Sequence, residues 1–386
     1  MNHKSPNILL LSIIDPAVDR GGAGTVTRAL IRLLQQEPLN ARVECIHPKS
    51  VFQSLHRVRQ LRSVAKSLVS SWPSKAAFTY SRRMLRAAKR LVEEQQFDLI
   101  LLNGSDLLWL MRELPPAIPR VLFAHNIEHR LFLSQVSSLH SRLRPLRGIM
   151  LRDWKRLRKY ELSGMQRIEN AMFLSSRDAD FAQRRFPHMN QLLVPPLFEY
   201  QPVERSRTRT AGGRTEIGFL ANFGWWPNRD GLHWFLKRVF PYTGEDTRLH
   251  LFGEQSHKAA SSHPRIVKHG FFADVREIWP LCDFMVCPIF SGGGAKIKLA
   301  EAVYNGVPVL ASSFAARGLP LDPDDTGIVL LDRAEEWIDF LRSPAAHEFG
   351  SRKVSAHAAQ TFALQSHLPP VQRFICKVIT GPLGTW

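Results

Sequence analysis

Apolar positions along this chain follow two alternating patterns. Short unbroken runs such as NILLLSII at 7–14, FDLILL at 97–102 and RVLFA at 120–124 lack polar alternation, as strands buried on both faces of a parallel sheet do. Between them lie longer stretches in which apolar residues return at helical spacing. The runs predict strands at 7–14, 43–47, 97–102, 120–124, 171–175 and 192–195, and again at 216–220, 249–252, 266–269, 283–288, 307–311 and 328–331. Helices are predicted between them, including 25–36 and 295–305, with a terminal one over 365–378. This alternation argues an α/β class, and its recurrence in both halves argues two doubly wound domains with ligands at the carboxyl ends of their strands. The aperiodic, polar ERSRTRTAGGR at 204–214 reads as a linker. Domains are therefore expected at 1–203 and 215–364, with 365–386 as a terminal helical segment.

The chemistry concentrates at 288–318, PIFSGGGAKIKLAEAVYNGVPVLASSFAARG. Gly292, Gly293 and Gly294 lie between a strand and a helix, where absent side chains let backbone N–H groups approach an anion such as a diphosphate. Lys298 and Glu301, three apart, share a helix face and can both look toward one ligand. A cation for phosphate and a carboxylate for paired hydroxyls suit a nucleotide or a sugar. Lys296 reads equally as a second cation of the site or as a surface lysine. Asn222 and Gly224 follow the first strand of the second domain, and His269, Gly270 and Phe271 end another. Trp225, Trp226 and Trp234 read as packing residues.

Gly-Gly-x-Lys-x-Lys-x-x-Glu-Ala followed by Gly-x-Pro-Val resembles the donor-binding motif of glycosyltransferase family 4. IGFLANFGWWPNRDGLHWFLKRVFP at 217–241 and FAHNIEHR at 123–130 carry the resemblance further, over roughly 7–341 in all. It implies the GT-B architecture, two Rossmann-like domains with parallel sheets facing a central cleft. It also implies a nucleotide-sugar-dependent glycosyltransferase that retains anomeric configuration. By the same resemblance Asn222, Gly224, Gly292, Gly293, Gly294, Lys296, Lys298 and Glu301 bind the donor, with Glu301 at the ribose and Phe271 beside the base. His125 contacts the reacting sugar or acceptor, with Asn126 and Glu128 next to it. Gly21, Gly22 and Gly24 lie under the donor phosphates or acceptor. Catalysis is assigned to His125, Lys298 and Glu301, without metal or other cofactor. Many relatives carry two glutamates in the motif, and here Gly293 replaces the first.

Charge changes the picture of the first half. Residues 1–200 hold 31 Lys and Arg against 16 Asp and Glu, whereas the remainder holds 21 against 18. Between Arg57 and Arg90 there are ten basic residues and no acidic one, and between Arg142 and Lys159 eight basic residues face only Asp153. A basic field confined to one domain points to a polyanionic partner. Over 57–69, Val58, Leu61, Ala65 and Leu68 alternate with Arg59, Arg62 and Lys66 at helical spacing, a pattern that lies on an anionic bilayer as well as over a sheet. Aromatic interleaving and nucleic-acid-binding signatures are missing, so nucleic acid is not the expected partner. The expected acceptor is a glycan or lipid-linked glycan precursor.

The four cysteines form no Cys-x-x-Cys pair, and the apolar run at 8–14 is too short for a signal-peptide core or a span. A cytoplasmic protein, peripheral at most on the membrane, is expected. His125 to His129 matches the His-x-x-Glu-His pattern of zinc peptidases, but its first histidine closes a strand rather than sharing a helix face with the second. Gly21, Gly22 and Gly24 lack the third glycine of the dinucleotide fingerprint. Asp178 and Asp180, like Asp322 and Asp324, have Asp-x-Asp spacing without a metal-site context. Two alternatives share the fold: a nucleotide-sugar epimerase, and a binding protein without turnover.

Overall fold

The structure is a computed structural model that describes residues 5–48, 62, 63, 65–67, 70–138, 145–202, 213–259, 262–322 and 327–381. The chain divides into two compact units, one of Met1–Pro195 with His367–Trp386 and one of Pro196–Ser366. The division falls ahead of the predicted linker, of which 204–212 lies outside the described residues.

The first unit contains β1 (Asn7–Ser12), β2 (Arg42–Ile46), β3 (Leu99–Asn103), β4 (Arg120–Ala124), β5 (Asn170–Phe173) and β6 (Asn190–Leu193). They form one parallel sheet in the order β2-β1-β3-β4-β5-β6. Ile8, Leu9, Leu10 and Leu11 are completely buried, as an unbroken apolar run demands of a strand covered on both faces. Each such side chain contributes about 1.5–3 kcal/mol through burial. Helix α1 (Gly22–Gln35) returns from β1 and packs Val26, Leu30, Leu33 and Leu34 against the sheet. Helices α2 (Arg82–Glu94), α3 (Glu128–Ser137) and α4 (Arg147–Met165) belong to the same unit.

The second unit repeats the plan with β7 (Thr215–Leu220), β8 (Thr247–Phe252), β9 (Ile266–Gly270), β10 (Phe284–Cys287), β11 (Val309–Ala311) and β12 (Ile328–Leu330). Their order is β12-β11-β10-β7-β8-β9, again all parallel. Helix α5 (Trp226–Arg238) follows β7 and α6 (Ile297–Tyr304) follows β10. In each sheet the first strand pairs with later strands on both sides, so the chain leaves in opposite directions at β1/β3 and at β7/β10. Crevices outside the carboxyl ends of the strands at such points receive ligands in open α/β sheets.

Helix α7 (Leu364–Thr380) closes the chain. From His367 onward it belongs to the first unit, where Gln372 Nε2 donates to the backbone carbonyls of Leu33, Gln36 and Glu37 at the end of α1. Val371 and Ile375 are fully buried there.

Candidate functional site

In the second unit, pairing of β7 with β10 (Ile217 opposite Phe284, Gly218 opposite Met285) brings two loops together that lie far apart in sequence. One is 221–225, after β7; the other is 288–296, after β10. Gly292 and Gly294 have φ of 112° and 60°, the left-handed region in which a side chain is strained. Helix α6 begins at Ile297, two residues later than the glycine pattern predicted, because Lys296 is its extended N-cap. The Lys296 ammonium folds back onto the carbonyls of Gly293 (2.9 Å) and Gly294 (3.2 Å), bracing the glycine loop from within.

Lys298 and Glu301 share α6 but not a partner. Lys298 Nζ donates to Asn228 Oδ1 at 2.6 Å and lies 5.1 Å from the Phe219 ring centre. Burial lowers its pKa, and among the described residues no carboxylate offsets the effect. Asn228 is held in turn by its own donation to the Asn222 carbonyl at 2.8 Å. A half-buried lysine held by a neutral amide is under-compensated, and an anion would supply the missing countercharge.

Glu301 accepts from the Tyr200 hydroxyl at 3.3 Å. Asn305 Nδ2 donates to the same hydroxyl oxygen at 2.8 Å, which leaves the phenolic proton for the carboxylate. Burial pushes the Glu301 carboxyl up to about 7, only partly offset by Tyr200. Tyr200 and Asn228 are missing from the sequence reading, since neither lies in the glycine motif and only tertiary contact brings them to it.

The remaining donor-side residues fall at the same strand ends. Asn222 is exposed and bridges its own loop, its Oδ1 accepting from the Gly224 amide (2.8 Å) and its Nδ2 donating to Glu254 (2.7 Å). The amide of Gly224, expected among the donor-binding residues, is thus engaged by Asn222. Phe271, after β9, is 42% exposed. The three tryptophans differ: Trp234 packs edge-on against Phe290 and Trp337, whereas Trp225 is 44% exposed at the end of the β7 loop. Close approach of α5 to the glycine loop depends on Gly231, where a Cβ would lie 2.2 Å from the Pro288 carbonyl oxygen.

In the first unit, His125 follows β4 and its Nε2 lies 2.7 Å from Asn103 Oδ1, at the end of β3. Burial lowers its pKa to about 4, so the imidazole is neutral at physiological pH. Its neighbours in sequence do not join it. Glu128 is buried and paired with Lys75, and Asn126 Nδ2 makes only a long 3.4 Å contact to that carboxylate. His129 points elsewhere again, with Nδ1 2.7 Å from the fully buried Glu161. The two histidines of the His-x-x-Glu-His pattern therefore have separate surroundings. Among the described residues, no group of three His, Cys, Asp or Glu side chains could hold a metal ion.

Gly21, Gly22 and Gly24 form the start of α1, but the Asp19 carboxylate accepts from the amides of Gly21 (2.8 Å) and Gly24 (3.2 Å). The Asp19 carboxylate thus takes up two amides of the loop for which a phosphate or acceptor contact was expected. Asp178 is buried against Arg130 at 3.1 Å, and burial raises its carboxyl to about 6. The second Asp-x-Asp stretch runs into 323–326, outside the described residues.

Residues 214–343 match the family model of glycosyl transferases group 1. With its two parallel sheets and the solved structures it resembles, the chain has the GT-B fold, and its second unit matches a group 1 glycosyltransferase domain. No curated protein matches the sequence. Among solved structures, the sucrose-phosphate synthase of Thermosynechococcus elongatus is 16% identical with a TM-score of 0.67, covering 95% of this chain and 98% of its own. Alr3699/HepE of Anabaena, in complex with UDP and glucose, is 16% identical over the same shares with a TM-score of 0.58. The lipopolysaccharide outer core galactosyltransferase WaaB, in its apo form, is 12% identical, with 96% and 99% covered and a TM-score of 0.54.

Proposed function

We propose that this protein transfers a sugar from a nucleoside diphosphate sugar to a hydroxyl of a glycan or lipid-linked glycan precursor. The observation that carries the reading is the glycine loop of 292–294 beside Lys298, a half-buried ammonium held by the Asn228 amide with no carboxylate partner among the described residues. In the reaction the bond between the anomeric carbon and the β-phosphate oxygen breaks, and its electrons leave with the nucleoside diphosphate. The acceptor oxygen forms the new bond, and its proton passes to the departing nucleoside diphosphate. Lys298 and the backbone N–H groups of the loop would stabilise the departing charge electrostatically, with Lys296 holding the loop in shape. This scheme asks for no metal. Glu301 would accept hydrogen bonds from the ribose hydroxyls, Phe271 would stack on the base, and His125 would meet a hydroxyl of the reacting sugar or acceptor. The UDP and glucose bound to HepE support a uridine nucleotide as the first donor to try.

Thermal unfolding of the purified protein with UDP-, GDP- and dTDP-sugars, wild type beside Glu301→Ala, tests this reading. Stabilisation by one donor that disappears in the variant is the expected result. A donor that stabilises both proteins equally would remove Glu301 from the site, and no stabilisation by any of them would remove the donor reading itself.

A further inference from the structure

Four side chains at the carboxyl ends of β1, β3 and β4 form a hydrogen-bond set with one consistent proton arrangement. Thr27 lies inside α1, and its hydroxyl donates back to the Ala23 carbonyl at 2.7 Å, as helical threonines do. With its single proton committed, Thr27 Oγ1 acts as an acceptor, and it lies 3.0 Å from the side-chain nitrogen of Asn103. Ser12 Oγ accepts from the same nitrogen at 3.0 Å and from the Ile14 amide at 3.2 Å. Both N–H bonds of the Asn103 amide therefore point toward β1 and α1, and its oxygen faces the other way. His125 Nε2 meets that oxygen at 2.7 Å. An oxygen acceptor requires Nε2 to carry the proton, and a neutral imidazole then keeps its lone pair on Nδ1. Ser12, Thr27 and Asn103 are buried to within 2% of complete, so they must satisfy one another.

We propose that Asn103 is a positioning residue for His125. Braced by Ser12 and Thr27, it holds the imidazole as the Nε2–H tautomer and presents Nδ1 as a hydrogen-bond acceptor for a hydroxyl of the carbohydrate substrate. The proposal rests on the assignment of His125 to the substrate made above. It adds a direction to that contact: His125 receives a proton-bearing hydroxyl and does not donate to a ring or phosphate oxygen. Discrimination follows from this polarity. A substrate whose hydroxyl is replaced by a methoxy group or fluorine at that position leaves Nδ1 without a donor.

Full-length protein carrying 15N-histidine reports the tautomer through long-range proton–nitrogen correlations, with His125 assigned from the signals lost in His125→Gln. In the wild type Nε2 should appear as a protonated, pyrrole-type nitrogen and Nδ1 as an unprotonated, pyridine-type one. Asn103→Ala and the nearly isosteric Thr27→Val should each mix the tautomers and draw the two nitrogen shifts together. Thr27→Ser, which keeps the hydroxyl, should restore them. A wild-type imidazole protonated at Nδ1, or wild-type shifts that persist in both Asn103→Ala and Thr27→Val, overturns the proposal. Thr27→Val keeps the measurement decisive if Asn103→Ala does not fold. The tautomer is read without substrate, so a mistaken role for His125 would leave it untouched. That mistake would show separately, as undiminished release of UDP from UDP-glucose in His125→Ala beside a wild type that releases it.

Discussion

Burial shifts both residues of α6, raising the carboxyl of Glu301 to about 7 and lowering the pKa of Lys298. Burial raises the Glu301 pKa above its unfolded value, so folding favours the protonated carboxyl. That contribution to stability is present below the ordinary carboxylate range and is lost as pH rises through about 7. The ribose hydroxyls proposed to bind Glu301 would, by contrast, donate to its ionised form. Donor affinity should therefore climb with pH up to about 7 and level off above it, while the ligand-free protein loses stability over the same interval. Isothermal titration across pH 5.5–8.5 reads this directly (a pH range of about three units around the titration), and a pH-independent affinity would contradict it. In Tyr200→Phe the carboxylate loses its hydroxyl donor. Its pKa should rise further, and weak binding at neutral pH should recover in alkaline buffer. In the proposed mechanism Lys298 faces the leaving group, so Lys298→Ala should lower turnover by about 100-fold or more. Near-normal turnover would withdraw Lys298 from the mechanism.

Elements carry these residues into register, and one glycine shows how tightly. A Cβ at position 231 would sit 2.2 Å from the Pro288 carbonyl oxygen, so α5 can lie against the start of the glycine loop only because residue 231 has none. That contact keeps Asn228, three residues earlier on the same helix, within 2.6 Å of Lys298. Gly231→Ala should cost about 1–3 kcal/mol of stability through forced displacement. It should also weaken donor binding, although residue 231 is given no ligand contact. Thermal unfolding and the donor titration check the two effects independently.

At the scale of the whole molecule, two surfaces of the first unit have consequences. Gln372 in α7 donates to three carbonyls at the end of α1 and is 4% exposed, so Gln372→Ala should destabilise the protein by about 1–3 kcal/mol. Chemical denaturation followed by tryptophan fluorescence would measure it. The other surface is basic. Arg82, Arg83 and Arg86 of α2 are exposed, as are Arg147, Arg152, Lys155, Arg158 and Lys159 of α4, with Leu146 and Ile149 at the N-terminal end of α4 about half exposed. Asp153, the acidic residue among them, is buried and accepts from Ser67 and Ser74, so it does not neutralise this face. Of the predicted amphipathic helix over 57–69, residues 57–61, 64, 68 and 69 lie outside the described residues, as do 142–144. Among the described residues no helix is long and apolar enough to cross a membrane. Peripheral contact with anionic lipid is the role we propose for the basic face, each side chain contributing about 1 kcal/mol. Vesicles with phosphatidylglycerol should co-sediment the protein in low salt and release it in high salt. Arg152→Glu with Lys155→Glu should weaken the binding, and equal binding to neutral vesicles would count against an electrostatic contact.

All twelve strands were legible in the sequence, the central ones because a parallel strand buried on both faces is written as an apolar run. RVLFA at 120–124 is β4 end to end, whereas the edge strands β2 (RVECI) and β6 (NQLL) are only partly buried and carry polar residues. The glycine loop, Lys298 and Glu301 were legible too, since a tight turn before a helix constrains residue type locally. What tertiary structure alone decided is which distant groups complete them. Asn228 reaches Lys298 because β7 pairs with β10, Tyr200 reaches Glu301 from a segment about 100 residues earlier, and Asn103 reaches His125 because β3 lies beside β4. Lys75 took up Glu128 for the same reason. Hydrophobic periodicity and loop composition are properties of neighbouring positions and can be read along the chain. Hydrogen-bond partners across strand ends depend on sheet order and register, and only the folded chain sets those.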